Sequence, residues 1–426
     1  MIDTNDNFTD EEFDDTPLIA LDKDLRDAAA LLPQQQAQFL VDTYYKFQHD
    51  RIQQGNQIAS SYEEPNLVLQ YLFGEMKRLE SFAKSALDRY TDKRPVSQRL
   101  KRIHGIGPVL SAGFLAHLDI NQAASAGAFV DFAGYNTGAV WLGSDAAKTI
   151  VLAVLDTALG GEGVNRAVTH EEMIEMAKRM GACPKWLARR VYRIFYQGDG
   201  YKEADAAFNI AMKTARAAEK ESLDNPLASR AERKQAKIDF MAAKRAAMRD
   251  RAETKKSAKV FLPQFGFDAQ VSDEVYVGAV LKGIKPKVKT IIDAVSVRPW
   301  NPSLKTILWK MTDVMRRQSN NPKCFYGQLY RKFKLEQVAK NEAGLLASEA
   351  ERRLKKGRIK SAEQKTVYQG GKLPDSHVDA RAMHEMGAIF LSHLWEIMYE
   401  QEYGKKPPAP YAIAILGHKD YIPPPV

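Results

Sequence analysis

The feature that most constrains the fold is a glycine-containing turn between two apolar-periodic segments. The turn lies within residues 103–113, which have the sequence Ile-His-Gly-Ile-Gly-Pro-Val-Leu-Ser-Ala-Gly. Gly105 and Gly107 lack a Cβ atom, so we expect them to permit positive φ and close approach to the backbone. Pro108 suits the first position of the second helix, where its missing N–H costs nothing. The pattern predicts a helix-hairpin-helix.

A helix-hairpin-helix of this kind can bind a phosphate group. The first N–H groups of a helix have no partner within the helix, and the helix dipole adds positive potential there. Such a helix start therefore favours an anion. The alternative is a plain connecting turn. The residues expected to contact nucleic acid here are Lys101, Arg102, His104, Gly105, Ile106, Gly107, Val109 and Ser111.

The charge of the chain is moderate in total and uneven in position. The 426 residues contain 62 Lys and Arg against 53 Asp and Glu, a net charge of +9. Residues 1–16 hold seven acids and no base, whereas residues 282–317 hold nine bases and two acids, and residues 323–365 hold twelve and five. Basic blocks of this kind favour polyanions, with an affinity that falls as salt rises. The alternative is a solvated, charged helix surface.

We expect basic residues of the C-terminal half to extend the phosphate-binding surface of the hairpin. Aromatic residues alternate with bases near residues 325–334, but their spacing of three and four is that of a helix core. The basic residues themselves are therefore the predicted contacts. They are Arg298, Lys305, Lys310, Arg331, Lys332, Lys334, Arg352, Arg353, Lys355, Lys356, Arg358 and Lys360.

Several classes of protein are disfavoured by the sequence. Two distant cysteines, Cys183 and Cys324, support neither a disulfide framework nor a cysteine zinc site. The chain contains no apolar run long enough for a membrane span and no basic start typical of a secretory signal, so we expect a cytoplasmic protein. The spacing of His377, His384 and His393 does not place two of them one turn apart, so neither a metal nor a cofactor is expected.

The periodicity predicts a mainly α fold with few or no strands, in which a helix-hairpin-helix core contains a long helical insertion. The predicted parts are an acidic disordered tail (1–20), an N-terminal helical region (21–95), the hairpin part of the core (96–149), a helical insertion (150–290) with a basic arm (202–259), and the C-terminal helical part of the core (291–426). The best strand candidates are residues 260–263 and 275–277. One long helix is expected over residues 326–354.

Three blocks together resemble a known family. They are Arg102–Pro108, then Phe129–Tyr135 with its Phe-Ala-Gly-Tyr ending, then Trp300–Lys310 with Asn-Pro-Ser-Leu-Lys. In that order they resemble the C-terminal domain of the Piv-type invertases and the bridge-RNA-guided insertion-sequence transposases. The tail segments 392–395 and 417–424 resemble segments of divergent transposase-like relatives of this family. The resemblance implies a DNA-binding, transposase-like helical domain of a mobile element.

The chain also departs from that family. Full-length members carry an N-terminal RuvC-like nuclease fold, whose strands bear carboxylates for two metal ions, and residues 1–95 show no strand-like run with an embedded acid. The family's serine nucleophile follows the second block. Ser144 and Thr137 are the only hydroxyl candidates near that place, and neither has the family's Ser-Gly context or an evident activating base.

Three functional hypotheses follow from the sequence. The first is a DNA-binding accessory protein of a phage or mobile element, without hydrolytic chemistry, which recruits a polymerase or another replication, recombination or transcription protein. DNA is favoured over RNA. The second is a transposase or recombinase with a nucleophile within residues 137–144. The third is an interaction protein that uses the arm at residues 202–259 to bind another protein.

Overall fold

The computed structural model describes residues 17–60, 66–136, 141–159, 166–226, 228–257, 272–355, 357, 359, 361–408 and 421–425. In these ranges the chain forms seventeen α-helices, one 3-10 helix and no strand, so the predicted mainly α fold is confirmed. Only an isolated bridge joins Ala167 and Lys287. None of the described helices combines the length and apolar character that a membrane span needs.

The chain divides into two compact units. We call residues 1–137 with 300–426 the hairpin unit, and residues 138–299 the inserted unit. The helices of the hairpin unit are α1 (Lys23–Ala30), α2 (Gln34–Ala59), α3 (Leu67–Asp92), α4 (Pro95–Leu100), α5 (Pro108–His117) and α6 (Ala126–Phe132), followed after the inserted unit by α13 (Pro302–Arg317), α14 (Phe325–Glu342), α15 (Ala347–Lys355), α16 (Ala362–Gln369) and α17 (Asp375–Tyr403). The helices of the inserted unit are α7 (Ser144–Leu159), α8 (His170–Arg179), α9 (Pro184–Asp224), α10 (Arg230–Ser257), α11 (Asp273–Val280) and α12 (Val288–Ser296).

The core of the hairpin unit surrounds α5. This helix packs against α2, α3 and α13, while α17 packs against α6 and α14. The apolar side chains of this core come from both the N-terminal and the C-terminal part of the sequence. Fully buried examples are Tyr44, Leu87, Phe114, Tyr326 and Phe390. Small residues on α5 allow a close helix approach: a Cβ atom at Gly113 would lie 3.0 Å from the Cδ1 atom of Ile307 on α13.

The inserted unit has a separate core and a long arm. Val151, Met173, Leu187, Val277 and Ile291 are fully buried in that core. Helix α8 begins with a reciprocal capping box formed by Thr169 and Glu172. Helix α9 then continues without interruption beyond the core and packs along α10.

Two other expectations about local structure are wrong. Residues 275–277 are helical rather than a strand, because the Ser272 side chain caps α11 by accepting a hydrogen bond from the Val275 N–H. The single helix expected over residues 326–354 is interrupted between α14 and α15, where Gly344 adopts a φ of +74°. The strand candidate at 260–263 and residues 1–16 of the predicted acidic tail lie outside the described residues.

Candidate nucleic-acid interface

The predicted hairpin is present as α4, a turn at residues 101–107, and α5. Within the turn the Ile106 N–H donates to the Ile103 carbonyl at 3.0 Å, and both isoleucine side chains are buried. Gly105 has a φ of +93°, as the motif predicts. Gly107 has a φ of −92°, so the turn does not use the positive φ that glycine permits at this position. Its second predicted property is present, since no atom lies within 4 Å of a Cβ built at Gly107.

The turn is held against the segment that links α13 and α14. A Cβ atom at Gly105 would lie 3.1 Å from the Met315 Cε atom, so the backbone passes directly over α13. On the other side of the turn, the Asn321 amide nitrogen lies 2.9 Å from Nε2 of the exposed His104. These contacts fix the position of the turn from outside the hairpin.

The start of α5 lacks a side-chain cap, and its residues Val109 and Leu110 are buried, with 3% and 9% of their surface exposed. Gly107 is the N-cap residue and has no side chain that could cap the helix, and Pro108 follows as the first helical residue. The first bond of the helix runs from the Ser111 N–H to the Gly107 carbonyl at 3.0 Å. The N–H groups of Val109 and Leu110 precede that bond and have no partner within the helix. No side chain of the described residues caps them.

Two residues predicted to contact nucleic acid hold the hairpin together instead. Ser111 is completely buried, and its hydroxyl lies 2.5 Å from that of Ser97 on α4. The Lys101 ammonium is 2.6 Å from Asp88 and 3.0 Å from Asp92 on α3. Burial alone would lower the pKa of Lys101, but the hydrogen bonds to these two carboxylates outweigh it, and the pKa is raised. Lys101 is therefore a charged structural contact.

Arg102 is the base that the hairpin presents to solvent. It is exposed, and its guanidinium forms no ion pair within the described ranges. Lys323 is also exposed, two residues beyond Asn321, whose side chain contacts His104. Lys323 is not among the bases predicted from the sequence to contact nucleic acid. It lies in one of the basic blocks, but its proximity to the turn depends on a contact that spans 217 residues of sequence.

The two other blocks of the family resemblance meet each other in the structure. The Asn301 N–H donates to the Phe132 carbonyl at 2.8 Å, and the Lys305 ammonium donates to the Gly134 carbonyl at 3.0 Å. Gly134 has a φ of +69°, and a Cβ atom there would lie 2.6 Å from the Trp300 ring. The Lys305 ammonium also lies 4.4 Å from the centre of that ring. The start of α13 therefore packs directly on the end of α6.

The predicted basic surface is consequently smaller than the sequence suggested. Lys305 binds a backbone carbonyl, Lys310 lies over the Tyr45 ring, and Lys334 pairs with Asp375 and Asp379. Arg352 and Lys355 pair with Glu349 and Glu351, respectively. Arg298 belongs to the inserted unit, where it lies over the Trp141 ring. Lys356, Arg358 and Lys360 are outside the described residues.

Arg331, Lys332 and Arg353 complete the predicted set. Arg331 and Lys332 are exposed on α14, and Arg353 is half-buried on α15. No ion pair joins any of the three to another described residue. Together with Arg102, these are the predicted bases whose charge remains uncompensated within the described part of the hairpin unit.

The candidate nucleophiles have no catalytic surroundings in the described part of the chain. Ser144 is the exposed first residue of α7, and its hydroxyl has no hydrogen bond to another described residue. Thr137 lies outside the described residues. Among the residues described, no group of three or more His, Cys, Asp or Glu side chains could hold a metal ion.

The three C-terminal histidines lie in separate, buried or half-buried places, each beside an aromatic ring. His377 contacts Tyr368, His384 stacks on Tyr135 with ring centres 4.4 Å apart, and His393 lies 2.8 Å from the Tyr326 hydroxyl. Burial lowers the pKa of His377 and of His384 to about 4, with smaller contributions from neighbouring arginine and lysine side chains. These histidines are therefore neutral packing residues at neutral pH.

No known protein-family model, curated protein or solved structure matches this chain. The resemblance to the invertase and transposase domain thus remains a hypothesis based on three short blocks. The geometry of the hairpin and the distribution of uncompensated charge provide the remaining basis for a functional proposal.

Proposed function

We propose that this chain is a DNA-binding accessory protein of a phage or mobile element that holds a backbone phosphate at the start of α5. The observation that carries the proposal is the uncapped helix start at Gly107, where a Cβ atom would meet no neighbour within 4 Å. Unpaired N–H groups and the positive end of the helix dipole favour an anion at such a place. Arg102 supplies an exposed positive charge on the same turn.

The remaining uncompensated bases extend this contact. Arg331, Lys332 and Lys323 are exposed in the hairpin unit and suit phosphate groups of the same polyanion. Contacts to phosphates position a protein on DNA and carry little sequence information. We therefore propose binding without strong sequence preference, by which the protein brings a replication, recombination or transcription protein to DNA.

A titration of the whole chain against labelled DNA at increasing salt tests this proposal. Binding should be readily measured at about 50 mM salt and should weaken steeply by about 200 mM, because each phosphate contact releases counterions. Arg102→Gln should reduce the slope of log K against log salt by about 0.9. Absence of binding at about 50 mM salt would contradict the proposal.

A transposase-like enzyme is the competing function, and it makes a different prediction. An active enzyme would nick supercoiled DNA in the presence of magnesium or manganese, and Ser144→Ala would abolish the nicking. The exposed Ser144 hydroxyl has no activating base among the described residues. We therefore expect binding without cleavage, and cleavage that depends on Ser144 would replace the accessory role with the enzymatic one.

A further inference from the structure

Helix α10 of the inserted unit separates its charges by face. Residues 230–257 contain ten bases and four acids. With 3.6 residues per turn, the bases at 233, 234, 237, 244, 245 and 249 fall within about 160° of the helix circumference. All four acids fall within a separate arc of about 60°. We call the first group, Arg233, Lys234, Lys237, Lys244, Arg245 and Arg249, the α10 basic face.

The α10 basic face borders the side of the helix that packs on α9. Ala247 is buried, and Arg251 and Lys255, which fall at the same helical angles as Arg233 and Lys237, both reach Asp205 on α9 at 2.7 Å. These contacts hold α10 along α9. Lys234, Lys237, Arg245 and Arg249 are exposed by contrast, and Lys244 is half-buried. These four exposed bases therefore form a positively charged strip beside the contact with α9.

The charges of the α10 basic face are not compensated by neighbours on the helix. Lys234, Lys237, Lys244 and Arg245 have no acid three or four residues away in either direction, which is where a helical ion pair would form. These four and Arg249 make no ion pair or side-chain hydrogen bond with another described residue. Solvated helices commonly carry such pairs, as α15 does with Arg352–Glu349 and Lys355–Glu351.

Two of the four acids of α10 accept hydrogen bonds from neighbours on or next to the helix. Glu232 caps the helix start, where it accepts a hydrogen bond of 2.7 Å from the Ser229 N–H. Asp239 accepts a hydrogen bond of 2.8 Å from the Gln235 side chain on its own face. Lys234, Lys237, Lys244 and Arg245 thus have no acid at helical ion-pair spacing, and their positive charge is complementary to a polyanion.

We infer that the α10 basic face is a second phosphate-binding surface, which lies along the backbone of duplex DNA. From Lys234 to Arg249 it extends about 22 Å at 1.5 Å per residue. Over that length a duplex presents about 13 phosphate charges. The only aromatic residue of α10, Phe240, is half-buried, so the face lacks the stacking platform on which single-strand binders rely.

The composition of the face favours a nucleic acid over a lipid surface. Its exposed apolar side chains are Ile238, Met241 and Met248. A helix that lies in a membrane interface inserts a continuous apolar face, often with Trp, Phe and Leu. Here the side of α10 that could have supplied such a face packs on α9. A helix face with isolated apolar residues among bases suits the phosphate groups of a nucleic acid rather than a lipid surface.

This inference rests on the proposed DNA binding but uses a different surface, so the two can be tested apart. The test variant of the full chain is Lys234→Gln, Lys237→Gln and Arg245→Gln, since glutamine preserves helix propensity. The matched control is Lys77→Gln, Arg78→Gln and Arg179→Gln, three exposed bases on other helices with the same loss of charge. Circular dichroism checks that both remain helical.

The measured quantity is the slope of log K against log salt for a labelled duplex. The α10 variant should reduce the magnitude of this slope by about 2.7, because each lost phosphate contact removes about 0.9. Its affinity at about 50 mM salt should fall on the order of tenfold or more. The control should change the slope by less than about 0.9. Equal slopes for the α10 variant and the control would overturn the inference.

Variants of the two surfaces separate the two claims. If Gly107→Asp abolishes binding and the α10 variant keeps the full slope, the hairpin proposal stands and the α10 inference fails. If the α10 variant loses slope and Gly107→Asp binds normally, the hairpin proposal fails and the α10 inference stands. If the α10 variant loses binding to phosphatidylserine vesicles but keeps the salt slope of duplex binding, the face binds a membrane and the inference is overturned.

Discussion

The Lys305 ammonium donates a hydrogen bond of 3.0 Å to the Gly134 carbonyl oxygen and so joins segments 171 residues apart. The same ammonium lies over the Trp300 ring, which covers the position where a Gly134 side chain would be. A lysine that resembles a phosphate ligand in the sequence therefore secures the α6–α13 contact. Its removal should affect stability rather than DNA binding.

Lys305→Met should lower the free energy of unfolding by about 1–2 kcal/mol, because one hydrogen bond and one cation–π contact are lost. Urea denaturation measures this change, and the salt slope of DNA binding should stay as in the unmodified chain. Arg102→Gln is the matched comparison, with unchanged stability and a reduced slope. A slope loss of about 0.9 for Lys305→Met at full stability would instead make Lys305 a phosphate ligand.

Gly134→Ala should destabilise the hairpin unit by about 2–4 kcal/mol, since alanine must adopt positive φ and its Cβ would overlap the Trp300 ring. Gly107→Ala is the control, because that site has open space and negative φ. It should change the free energy of unfolding by less than about 1 kcal/mol. Similar losses at both positions in urea denaturation would show that the Trp300 contact is not what constrains Gly134.

The buried pair Ser97 and Ser111 should behave as one unit. Either serine changed to alanine leaves the other hydroxyl without its partner in a fully buried site, at a cost of about 1–3 kcal/mol. The double variant Ser97→Ala with Ser111→Ala should lose less stability than the sum of the losses of the two single variants. A thermodynamic cycle of the four proteins measures this coupling, and strict additivity would contradict it.

His384 should make the hairpin unit sensitive to acid. Its pKa is lowered to about 4 by burial beside Tyr135, and by the charges of Lys305 and Arg381. The unfolded chain binds a proton near pH 6.5, whereas the folded chain keeps this imidazole neutral until about pH 4. Its contribution to stability is therefore complete above pH 6.5 and is lost as pH falls towards 4, on the order of 3 kcal/mol.

His384→Gln should flatten the dependence of stability on pH between about 4 and 6.5. Urea denaturation across this range provides the measurement, with the exposed His49→Gln as control. Part of the pH dependence of stability should remain in His384→Gln, because the pKa of His377 is also lowered to about 4. An unchanged pH profile in His384→Gln would show that His384 does not carry this sensitivity.

Local patterns in the sequence predicted much of the fold because they act over a few residues. Apolar spacing and the Gly-x-Gly-Pro turn located α4 and α5. The helix break at Gly344 was missed, because a single glycine within a helical pattern is often tolerated. The strand expected at 275–277 failed because the cap at Ser272 outweighs the β preference of valine and tyrosine.

The candidate site was predicted less fully, because its details depend on tertiary contacts. Sequence spacing does not show that Asp88 and Asp92 surround Lys101, or that Ser111 meets Ser97 in the core. Nor does it show that Lys305 turns towards Gly134. The count of basic residues therefore overestimated the basic surface of the hairpin unit. The separation of bases from acids around α10 could be recognised only once the bounds of that helix were known.

The central claim is that a backbone phosphate of DNA binds at the start of α5. Gly107→Asp tests it directly, because an aspartate at the N-cap would itself accept the free N–H groups and repel a phosphate. Gly107→Asn separates charge from capping, since asparagine caps about as well and carries no charge. Both variants should keep or raise the stability of the protein.

The matched control is Gly143→Asp. Gly143 accepts the first bond of α7 from the Ala147 N–H at 2.9 Å, and a Cβ atom there also meets no neighbour. Gly143→Asp thus places the same charge at another open helix start. The measurement is the Kd for labelled duplex DNA at about 50 mM salt. We predict a large loss of affinity for Gly107→Asp, a smaller loss for Gly107→Asn and little change for Gly143→Asp; equal affinities for Gly107→Asp and Gly143→Asp would contradict the account.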